Sequence, residues 1–237
     1  MNRKIALVTG ANRGIGFEIS RQLGRAGITV LMAARSIEAA EDAAKRAAED
    51  QEIDAIGVKL DVSSPEDIAA LAEWIDTRYG RLDILVNNAG ILKRTAGGDA
   101  EAFRQTFEVN TVAPFQLTES LLPLLLRSDA GRIVNQSSAI GSLKMMLSDE
   151  TVRRLGDPGY AASKAALNML TVYWAQKLEG TAVKVNSAHP GLVKTDMTGD
   201  SGQISAEEGA GTAVKLALLG PDGPSGSFFY KDKELPW

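Results

Sequence analysis

Short apolar runs that alternate with helical segments are the feature that most constrains the fold of this chain. Runs such as those in "KIALVTG" (4–10) and "LDILVNNAG" (82–90) lack polar alternation, which is typical of strands buried on both faces. Each run precedes a segment of helical periodicity, as in "SPEDIAALAEWIDTRYG" (64–80). This pattern predicts an α/β fold: a doubly wound parallel β-sheet with right-handed crossovers, flanked by helices on both faces.

Nothing in the sequence divides this fold into parts. There is no internal repeat, low-complexity tract or long linker, and 237 residues with 44% hydrophobic content suit a single domain, 1–237. In an open sheet of this kind, ligands bind beyond the carboxyl ends of the strands, where the strand order reverses. Functional residues are therefore expected directly after the strands.

The cysteine and histidine counts exclude several kinds of site. The chain has no cysteine and one histidine, His189. Disulfides, cysteine nucleophiles, thiolate zinc sites and sites that need two histidines are therefore excluded, and we expect no metal. We interpret His189, in "NSAHPG", as a packing or loop-anchoring residue rather than a member of a Ser-His-acid triad.

Charge and hydropathy limit the partners. The formal net charge is −4, so the chain offers no basic surface for nucleic acid or for an anionic membrane. It has no long uncharged apolar run, and "MNRKIALVTG" does not have the layout of a signal peptide. We expect a cytoplasmic protein that binds neither nucleic acid nor membrane.

A glycine-rich turn follows the first predicted strand. "TGANRGIG" contains Gly10, Gly14 and Gly16, a wider spacing than the usual GxGxxG. It still meets the same needs: a tight turn, close approach of the backbone to a pyrophosphate, and a helix N-terminus that faces negative charge. Its place between a strand and a helix indicates nucleotide binding.

The residues that follow the second and later predicted strands indicate which dinucleotide is bound. Where NAD-binding folds often carry an acidic residue, this chain has Ala34 followed by Arg35, and Arg13 lies in the glycine turn. Two guanidinium groups at this place favour the 2′-phosphate of NADP(H). Asp61, after the third strand, is expected to accept from the adenine amino group, and Asn88 is expected to approach the cofactor ribose.

A tyrosine and a lysine lie four residues apart at the start of a later helix. In "GDPGYAASKAAL", Tyr160 and Lys164 fall on one helix face, about 5–6 Å apart at Cβ. By itself such a pair is common on surface helices. A free tyrosine titrates near 10, so a nearby cation is needed before it serves as a base at neutral pH.

Taken together, these motifs resemble the short-chain dehydrogenase/reductase family over nearly the whole chain. The matching elements are TGxxxGxG (Thr9 to Gly16), NNAG (Asn87 to Gly90), Asn110, the "NQSS" serine, YxxxK, and "HPG" with Thr195 after it. They occur in the family's order at plausible separations. The resemblance implies a single-domain Rossmann-type fold and an oxidoreductase that uses NADP(H).

The resemblance also implies a role for each matched position. Tyr160 is the proton donor, Lys164 holds the nicotinamide ribose and eases phenolate formation, Ser138 hydrogen-bonds the substrate oxygen, and Asn110 holds a water in a proton relay. The implied cofactor contacts are Gly10, Asn12, Arg13, Gly14, Ile15, Gly16, Arg35, Asp61, Val62, Asn88, Ala89, Gly90, Tyr160, Lys164, Pro190, Gly191, Val193 and Thr195. Among these, the Val193 backbone and the Thr195 hydroxyl hold the carboxamide end of the nicotinamide.

The chain departs from the family pattern between the serine and the tyrosine. An insert at about 141–158 separates them, as in carbonyl-reductase-like members, and "SDETVRRL" predicts a short helix with Ser148 as its N-cap. We choose Ser138 over Ser137 and Ser142 because it is the second of the adjacent pair. Leu143, Met145, Met146 and Leu147 of the insert, with Leu192 and Met197 of a substrate loop at about 192–205, either form an apolar pocket wall or only seat the insert.

The leading functional hypothesis is an NADPH-dependent reductase of ketones or aldehydes with a small hydrophobic carbonyl substrate. A 3-oxoacyl-thioester or hydroxysteroid reductase is the alternative within the family. A dinucleotide-sensing regulator without catalysis is the alternative from another class. Family members often pair through their long helices, and an insert near that face favours a monomer, with a homodimer as the alternative.

Overall fold

The computed structural model describes residues 3–49, 53–95 and 98–237, and within these ranges eight strands form one sheet. The strands are β1 (Ile5–Thr9), β2 (Thr29–Ala34), β3 (Ala55–Lys59), β4 (Ile84–Asn87), β5 (Arg132–Gln136), β6 (Lys184–Ala188), β7 (Phe228–Tyr230) and β8 (Lys233–Leu235). The α-helices are α1 (Gly14–Arg25), α2 (Ile37–Ala48), α3 (Pro65–Tyr79), α4 (Ala100–Phe107), α5 (Ala113–Leu125), α6 (Leu143–Ser148), α7 (Glu150–Leu155), α8 (Pro158–Lys177) and α9 (Ala206–Ala217).

The strand order is β3-β2-β1-β4-β5-β6-β7-β8. All pairings from β3 to β7 are parallel. The chain proceeds outwards from β1 to β3 and, after β4, outwards in the other direction, so the order reverses between β1 and β4. The predicted doubly wound parallel sheet is confirmed, and its ligand crevice is expected beyond the carboxyl ends of these two strands.

The sequence predicts a last strand around "GSFFY" and none after it, and this is incomplete. β8 pairs antiparallel with β7, with Phe228 opposite Leu235. Lys233 and Glu234 of β8 are exposed. Charged residues are common on edge strands because they oppose pairing with another chain, and they hide the apolar pattern by which a strand is recognised.

Helices cover both faces of the sheet. One apolar core, which includes Leu7, Leu85 and Ile133, packs against α3, α5 and α8, and Trp174 of α8 is its largest side chain. The other core includes Val8, Val86 and Val134, and packs against α1, α2 and α9. Successive strand residues therefore point to opposite cores, as the alternation of side chains along a strand requires.

The ends of α3 carry the usual sequence signals, a serine followed by a proline at the start and a glycine at the end. Ser64 caps α3 by accepting from the Asp67 amide at 3.1 Å, and Gly80 ends it at φ 68°. The sequence from Asp99 to Arg127 predicts one long helical stretch, but the structure contains a π-helical turn at Glu108–Val112 between α4 and α5. Such turns are frequent at functional sites, and this one contains Asn110.

The Ser142–Gly156 segment forms two short helices where the sequence predicts one. The assignment of Ser148 as an N-cap is wrong. Ser142 caps α6 through the Met145 amide at 3.1 Å, and the carboxylate of Asp149 caps α7. Ser148 remains inside α6, where its hydroxyl donates to a carbonyl of the same helix at 2.9 Å.

Arg132, the first residue of β5, is 1% exposed. Its guanidinium donates to the backbone carbonyls of Gly131 and Ala182, and to those of Leu219 and Gly220 after α9, at 2.6–3.1 Å. Within the described ranges no carboxylate pairs with it. Burial lowers the pKa of Arg132. The side chain ties the chain after α9 to the amino end of β5.

Candidate functional site

The glycines of the turn after β1 are explained by backbone conformation at Gly10 and Gly14 and by lack of space at Gly16. Gly10 and Gly14 have φ of 62° and 57°, in the left-handed region that favours glycine. A Cβ on Gly16 would lie 2.4 Å from the Gly10 carbonyl oxygen and 2.5 Å from Asn88 Nδ2. Asn88 Nδ2 in turn donates to the carbonyl of Thr9 at 2.8 Å, so the end of β4 is bonded to this turn.

The N-terminus of α1 differs from the other helix starts that follow a loop in the described ranges. Those starts are capped by Ser36, Ser64, Asp99, Ser142, Asp149, Asp157 and Ser205. Arg13, at the N-cap of α1, makes no side-chain cap, and the first turn has no acidic residue. Unpaired amides at a helix N-terminus bind anions, and this end of α1 fits a pyrophosphate.

Three arginines lie around this turn, and the sequence analysis named two of them. Arg35 is exposed after β2, with no hydrogen bond to another described residue. Arg13 is paired with Asp196, both side chains being more than 70% exposed. Arg46 of α2 was missed: it donates to the Asn12 carbonyl at 2.8 Å and lies over the Phe17 ring at 4.7 Å. No motif indicates such a contact between a helix and a loop.

The third strand is followed by Asp61, predicted to accept from the adenine amino group, and by Val62, predicted to contact the cofactor. Asp61 is half-buried, and its Oδ1 accepts from the Ser63 amide at 2.9 Å. Val62 is partly buried against the core under α3. One oxygen of the Asp61 carboxylate is therefore used by the turn, and Oδ2 has no hydrogen bond to a described residue.

Tyr160 and Lys164 lie in the first two turns of α8. Lys164 is 4% exposed, and its Nζ donates to the carbonyl of Gln136, at the end of β5, at 2.8 Å. Nζ lies 5.5 Å from the centre of the Tyr160 ring. Burial raises the pKa of Tyr160 to about 12 and lowers the pKa of Lys164 to about 8. At neutral pH the phenol is therefore protonated and the amine is charged for the most part.

Asn110 joins three elements of the site. Its Oδ1 accepts from the Ile91 amide at 2.9 Å, and its Nδ2 donates to the Ile91 carbonyl at 2.9 Å and to Ser163 Oγ at 3.1 Å. A Cβ on Gly90 would lie 3.3 Å from Asn110 Oδ1 and 3.5 Å from Lys164 Nζ. The loop after β4, the π-helical turn and α8 therefore meet here.

The three candidate serines have different surroundings. Ser142 is fully buried and caps α6, and Ser137 is 2% exposed with an Oγ that has no partner in the described ranges. Ser138 is half-buried. Its Oγ has a long contact, 3.4 Å, from the amide of Ile140. Of the three, Ser138 has the hydroxyl that a ligand at the sheet edge reaches most readily.

Asp157 is a site residue that the sequence analysis missed. It is 5% exposed, caps α8 through the amides of Gly159 and Tyr160, and accepts from Thr95 N at 2.9 Å and Thr95 Oγ1 at 2.8 Å. Burial acts to raise its pKa, but these hydrogen bonds together lower it. An Asp before a proline at a helix start is the available sequence signal, as Ser64–Pro65 is for α3.

The loops after β6 carry the remaining predicted residues. His189 Nδ1 accepts from the Ala139 amide at 3.3 Å, as expected for a loop anchor, and burial lowers the pKa of His189 to about 4. Pro190 and half-buried Gly191, at φ 85°, lead into the 192–204 loop. Backbone bonds between Leu192 and Gln203, and between Lys194 and Ile204, close the base of this loop.

The 192–204 loop reaches the glycine turn. A Cβ on Gly14 would lie 3.7 Å from Thr195 Cγ2. Val193 is 2% exposed, and its side chain meets the start of α9 at Gly209. The structure thus brings Thr195, in the loop after β6, beside residues after β1 that are far away in sequence.

The apolar residues of the Ser142–Gly156 segment were expected either to line a pocket or to pack the segment on the body of the protein. The structure shows that only some of them are partly buried. Leu143 is 70% exposed and Leu147 is 82% exposed, whereas Met145 and Met146 are half-buried. The Lys144 amide donates to the carbonyl of Trp237 at 3.1 Å, which fixes the start of α6.

Among the described helices, none is long and apolar enough to cross a membrane.

Comparison with known proteins agrees with this geometry. The family model for short chain dehydrogenases matches residues 4–205. The (+)-neomenthol dehydrogenase of Arabidopsis thaliana is 36% identical, with 95% of each chain covered. Carbonyl reductase 1 of Mus musculus, whose name specifies NADPH, is 34% identical and covers 100% of this chain and 99% of its own. Since that alignment extends over 284 positions, the mouse protein contains internal segments that this 237-residue chain lacks.

A solved structure agrees as well. The NADPH-bound carbonyl reductase from chicken fatty liver superposes with a TM-score of 0.86 at 29% identity, with 100% of both chains covered. The family model spans most of the chain, from β1 into the loop that follows β6. With its glycine turn, its YxxxK helix and its sheet order, this chain belongs to the short-chain dehydrogenase family.

Proposed function

We propose that this protein is an NADPH-dependent reductase that converts small hydrophobic ketones or aldehydes to alcohols. One observation carries the proposal: Tyr160, Lys164, Asn110 and Ser138 lie at the carboxyl edge of the sheet, where Gly90 adjoins Asn110 and Lys164. The carbonyl reductases to which the chain is similar support the reductase direction.

The residues around the glycine turn fit NADPH. The uncapped N-terminus of α1 suits the pyrophosphate, and exposed Arg35 and Arg13 are the cations for the 2′-phosphate. Arg13 is paired with Asp196, so binding of the phosphate by Arg13 exchanges one anionic partner for another. The NADPH named for the mouse and chicken reductases supports the same choice.

The mechanism divides the reaction between cofactor and protein. NADPH supplies the hydride when bound. Tyr160 and Ser138 hydrogen-bond the substrate carbonyl oxygen, and Tyr160 gives its proton to the oxygen as negative charge develops there. A phenol with a pKa of about 12 retains its proton until then. Lys164, charged below its pKa of about 8, stabilises the phenolate that forms.

Asn110 has a positioning role in this proposal. Both ends of its amide are bonded to Ile91, and its Nδ2 also reaches Ser163, whose Oγ donates to the Tyr160 carbonyl at 2.8 Å. These bonds fix the loop after β4 against the turn of α8 that carries the tyrosine. The sensing regulator needs none of this, so catalysis is the favoured hypothesis.

The oligomeric state stays a prediction: the insert near the pairing helices favoured a monomer, with a homodimer as the alternative. Phe115 of α5 and Met169 and Tyr173 of α8 are exposed, so the Ser142–Gly156 segment does not cover these residues, and the reason for preferring the monomer is lost. Light scattering at micromolar concentration decides between the two states, and a tetramer would contradict both.

The decisive test of the function is Tyr160→Phe with a panel of small ketones and aldehydes. The variant keeps the ring and should fold and bind NADPH as the parent does, because only the hydroxyl is removed. Positioned acid-base groups contribute about 10²–10⁴ in rate, and kcat should fall by at least that factor. A variant within a few-fold of the parent would overturn the assignment, and a parent that binds NADPH without oxidising it would favour the sensor.

A further inference from the structure

Gln136 has a buried amide with no partner. The residue ends β5 and is 6% exposed, and neither Nε2 nor Oε1 has a hydrogen bond within the described ranges. A buried donor or acceptor that is left unpaired destabilises the fold. A glutamine whose buried amide leaves both a donor and an acceptor unpaired is poorly explained by packing, for which an apolar residue serves better.

The register of the sheet defines the face on which this amide lies. Asn135 donates to Thr171 of α8 at 2.8 Å, on the face of α5 and α8. Because side chains alternate along a strand, Gln136 lies on the opposite face, the face of α1 and α9, with Val134. Asn87 pairs with Asn135 and Ala188 pairs with Gln136, which places Gln136 between Asn88 and Ala188.

This position is at the crevice, next to the catalytic group. Asn88 bonds the carbonyls of Thr9 and Gly10, so its neighbour Gln136 lies buried beside the glycine turn that borders the crevice. The Gln136 carbonyl accepts from Lys164 Nζ at 2.8 Å, so the residue lies directly beside the proposed proton-transfer machinery. A hydride donor must lie close to Tyr160, and the nicotinamide end of the cofactor is therefore the part near Gln136.

We propose that the Gln136 side chain binds the carboxamide of the nicotinamide, a contact that deepens the proposed function and depends on it. A primary carboxamide presents one acceptor oxygen and one donor NH₂. It is therefore complementary to a glutamine amide with both Oε1 and Nε2 free. A phosphate oxygen needs only the donor and leaves Oε1 unpaired. Gln136 thus positions the nicotinamide ring for hydride transfer, together with the contacts at Val193 and Thr195.

The test measures binding rather than turnover. Fluorescence titration or calorimetry gives the Kd of Gln136→Met for NADPH, for its 3-acetylpyridine analogue, and for 2′,5′-ADP, which lacks the nicotinamide half. Two neutral hydrogen bonds at about 1 kcal/mol each correspond to a loss of about tenfold or more in NADPH affinity. The loss should be smaller for the acetylpyridine analogue, which has no NH₂, and below about twofold for 2′,5′-ADP by the same reasoning.

Two controls keep the result interpretable. Gln116→Met, in α5, changes another glutamine whose Oε1 has no partner, and it should leave all three affinities unchanged. The melting temperature of unliganded Gln136→Met should equal or exceed that of the parent, because methionine removes a buried unpaired amide without removing volume. A lower melting temperature would show that the amide has a structural partner and would overturn the proposal.

The other possible results of the affinity measurements also test the proposal. Equal losses for NADPH and 2′,5′-ADP, equal losses for NADPH and the acetylpyridine analogue, or no loss at all would each overturn the carboxamide contact. If the parent itself does not bind NADPH, the proposed function fails first. If the parent binds NADPH and Gln136→Met binds it equally well, only this inference fails.

Discussion

Replacement of Asp157 by asparagine should separate the capping of α8 from the attachment of the loop after β4. Asparagine is as good an N-cap as aspartate, so its Oδ1 can still accept from the amides of Gly159 and Tyr160. The atom that faces Thr95 N becomes a donor, and the bond of 2.9 Å is lost. Thr95 is 6% exposed, so its amide is then buried without an acceptor.

The hydrogen bonds of Asp157 give the expected size of the loss in the free energy of unfolding. Hydrogen bonds to charged groups contribute about 1.5–3 kcal/mol each, and Asp157→Asn breaks one and makes the others neutral. We expect the free energy of unfolding to fall by about 2–4 kcal/mol. At about 2–4 °C per kcal/mol for a domain of this size, the melting temperature should fall by roughly 4–16 °C. Because hydrogen bonds lower the folded-state pKa of Asp157, its contribution is present at neutral pH and is lost as the pH falls through that pKa.

Urea denaturation measures the effect, with Asp99→Asn as the matched control. Asp99 caps α4 in the same way, through the amides of Glu101 and Ala102, but it is exposed and accepts no hydrogen bond from a distant residue that the structure describes. Its replacement should cost less than about 1 kcal/mol. Thr95→Val should also destabilise, whereas Thr95→Ser, which keeps the hydroxyl, should cost clearly less. If Asp157→Asn and Asp99→Asn have the same effect, the contact with Thr95 contributes nothing and the reasoning is wrong.

Three further predictions concern the cofactor, the serine and the histidine. Arg35→Ala should weaken NADPH binding about tenfold or more, at 1.5–3 kcal/mol for a charge-assisted bond, while NADH binding, measured by the same titration, hardly changes; equal losses would show a structural role. Ser138→Ala should lower kcat by about 10²–10³, the usual effect of removing a donor to a developing oxyanion. Ser137→Ala, whose buried Oγ has no described partner, should stay within twofold, and the reverse order would reassign the serine. Because the folded-state pKa of His189 is about 4, the unfolded chain takes up the proton first, so stability should fall between pH 6.5 and 4 by up to about 3 kcal/mol. His189→Gln should flatten that part of the pH profile, and an unchanged profile would exclude the histidine.

The sequence predicts the central strands well because each is a short buried apolar run with its turn chemistry at both ends. Ser64 and Gly80 likewise mark the ends of α3 through local hydrogen bonding and a left-handed φ. These signals are local, so one chain segment contains all that is needed to recognise them. β8 cannot be recognised from such a buried apolar run, because Lys233 and Glu234 are exposed on an edge strand.

The site was predictable where a family motif marks it and less so where its support depends on distant contacts. The positions of Tyr160 and Lys164 follow from one helix. The bonds of Asp157 to Thr95, of Asn110 to Ile91 and of Arg46 to Asn12 join residues at least 19 positions apart. Periodicity does not reveal such pairings. The π-helical turn around Asn110 was missed for a related reason: its sequence is compatible with an unbroken helix, and tertiary contacts select the wider turn.

The buried guanidinium of Arg132 has a consequence for the behaviour of the protein in salt. Its partners are the dipoles of four backbone carbonyls rather than a carboxylate, and the side chain is 1% exposed. Counterions screen exposed pairs such as Arg13 with Asp196, whose side chains are 71% and 75% exposed, but they do not reach a cation inside the protein. Raising the ionic strength should therefore loosen the contact between the glycine turn and the 192–204 loop while leaving the attachment of α9 to β5 unchanged. The two ends of the sheet differ in their sensitivity to electrolyte, and the end that binds the cofactor is the sensitive one.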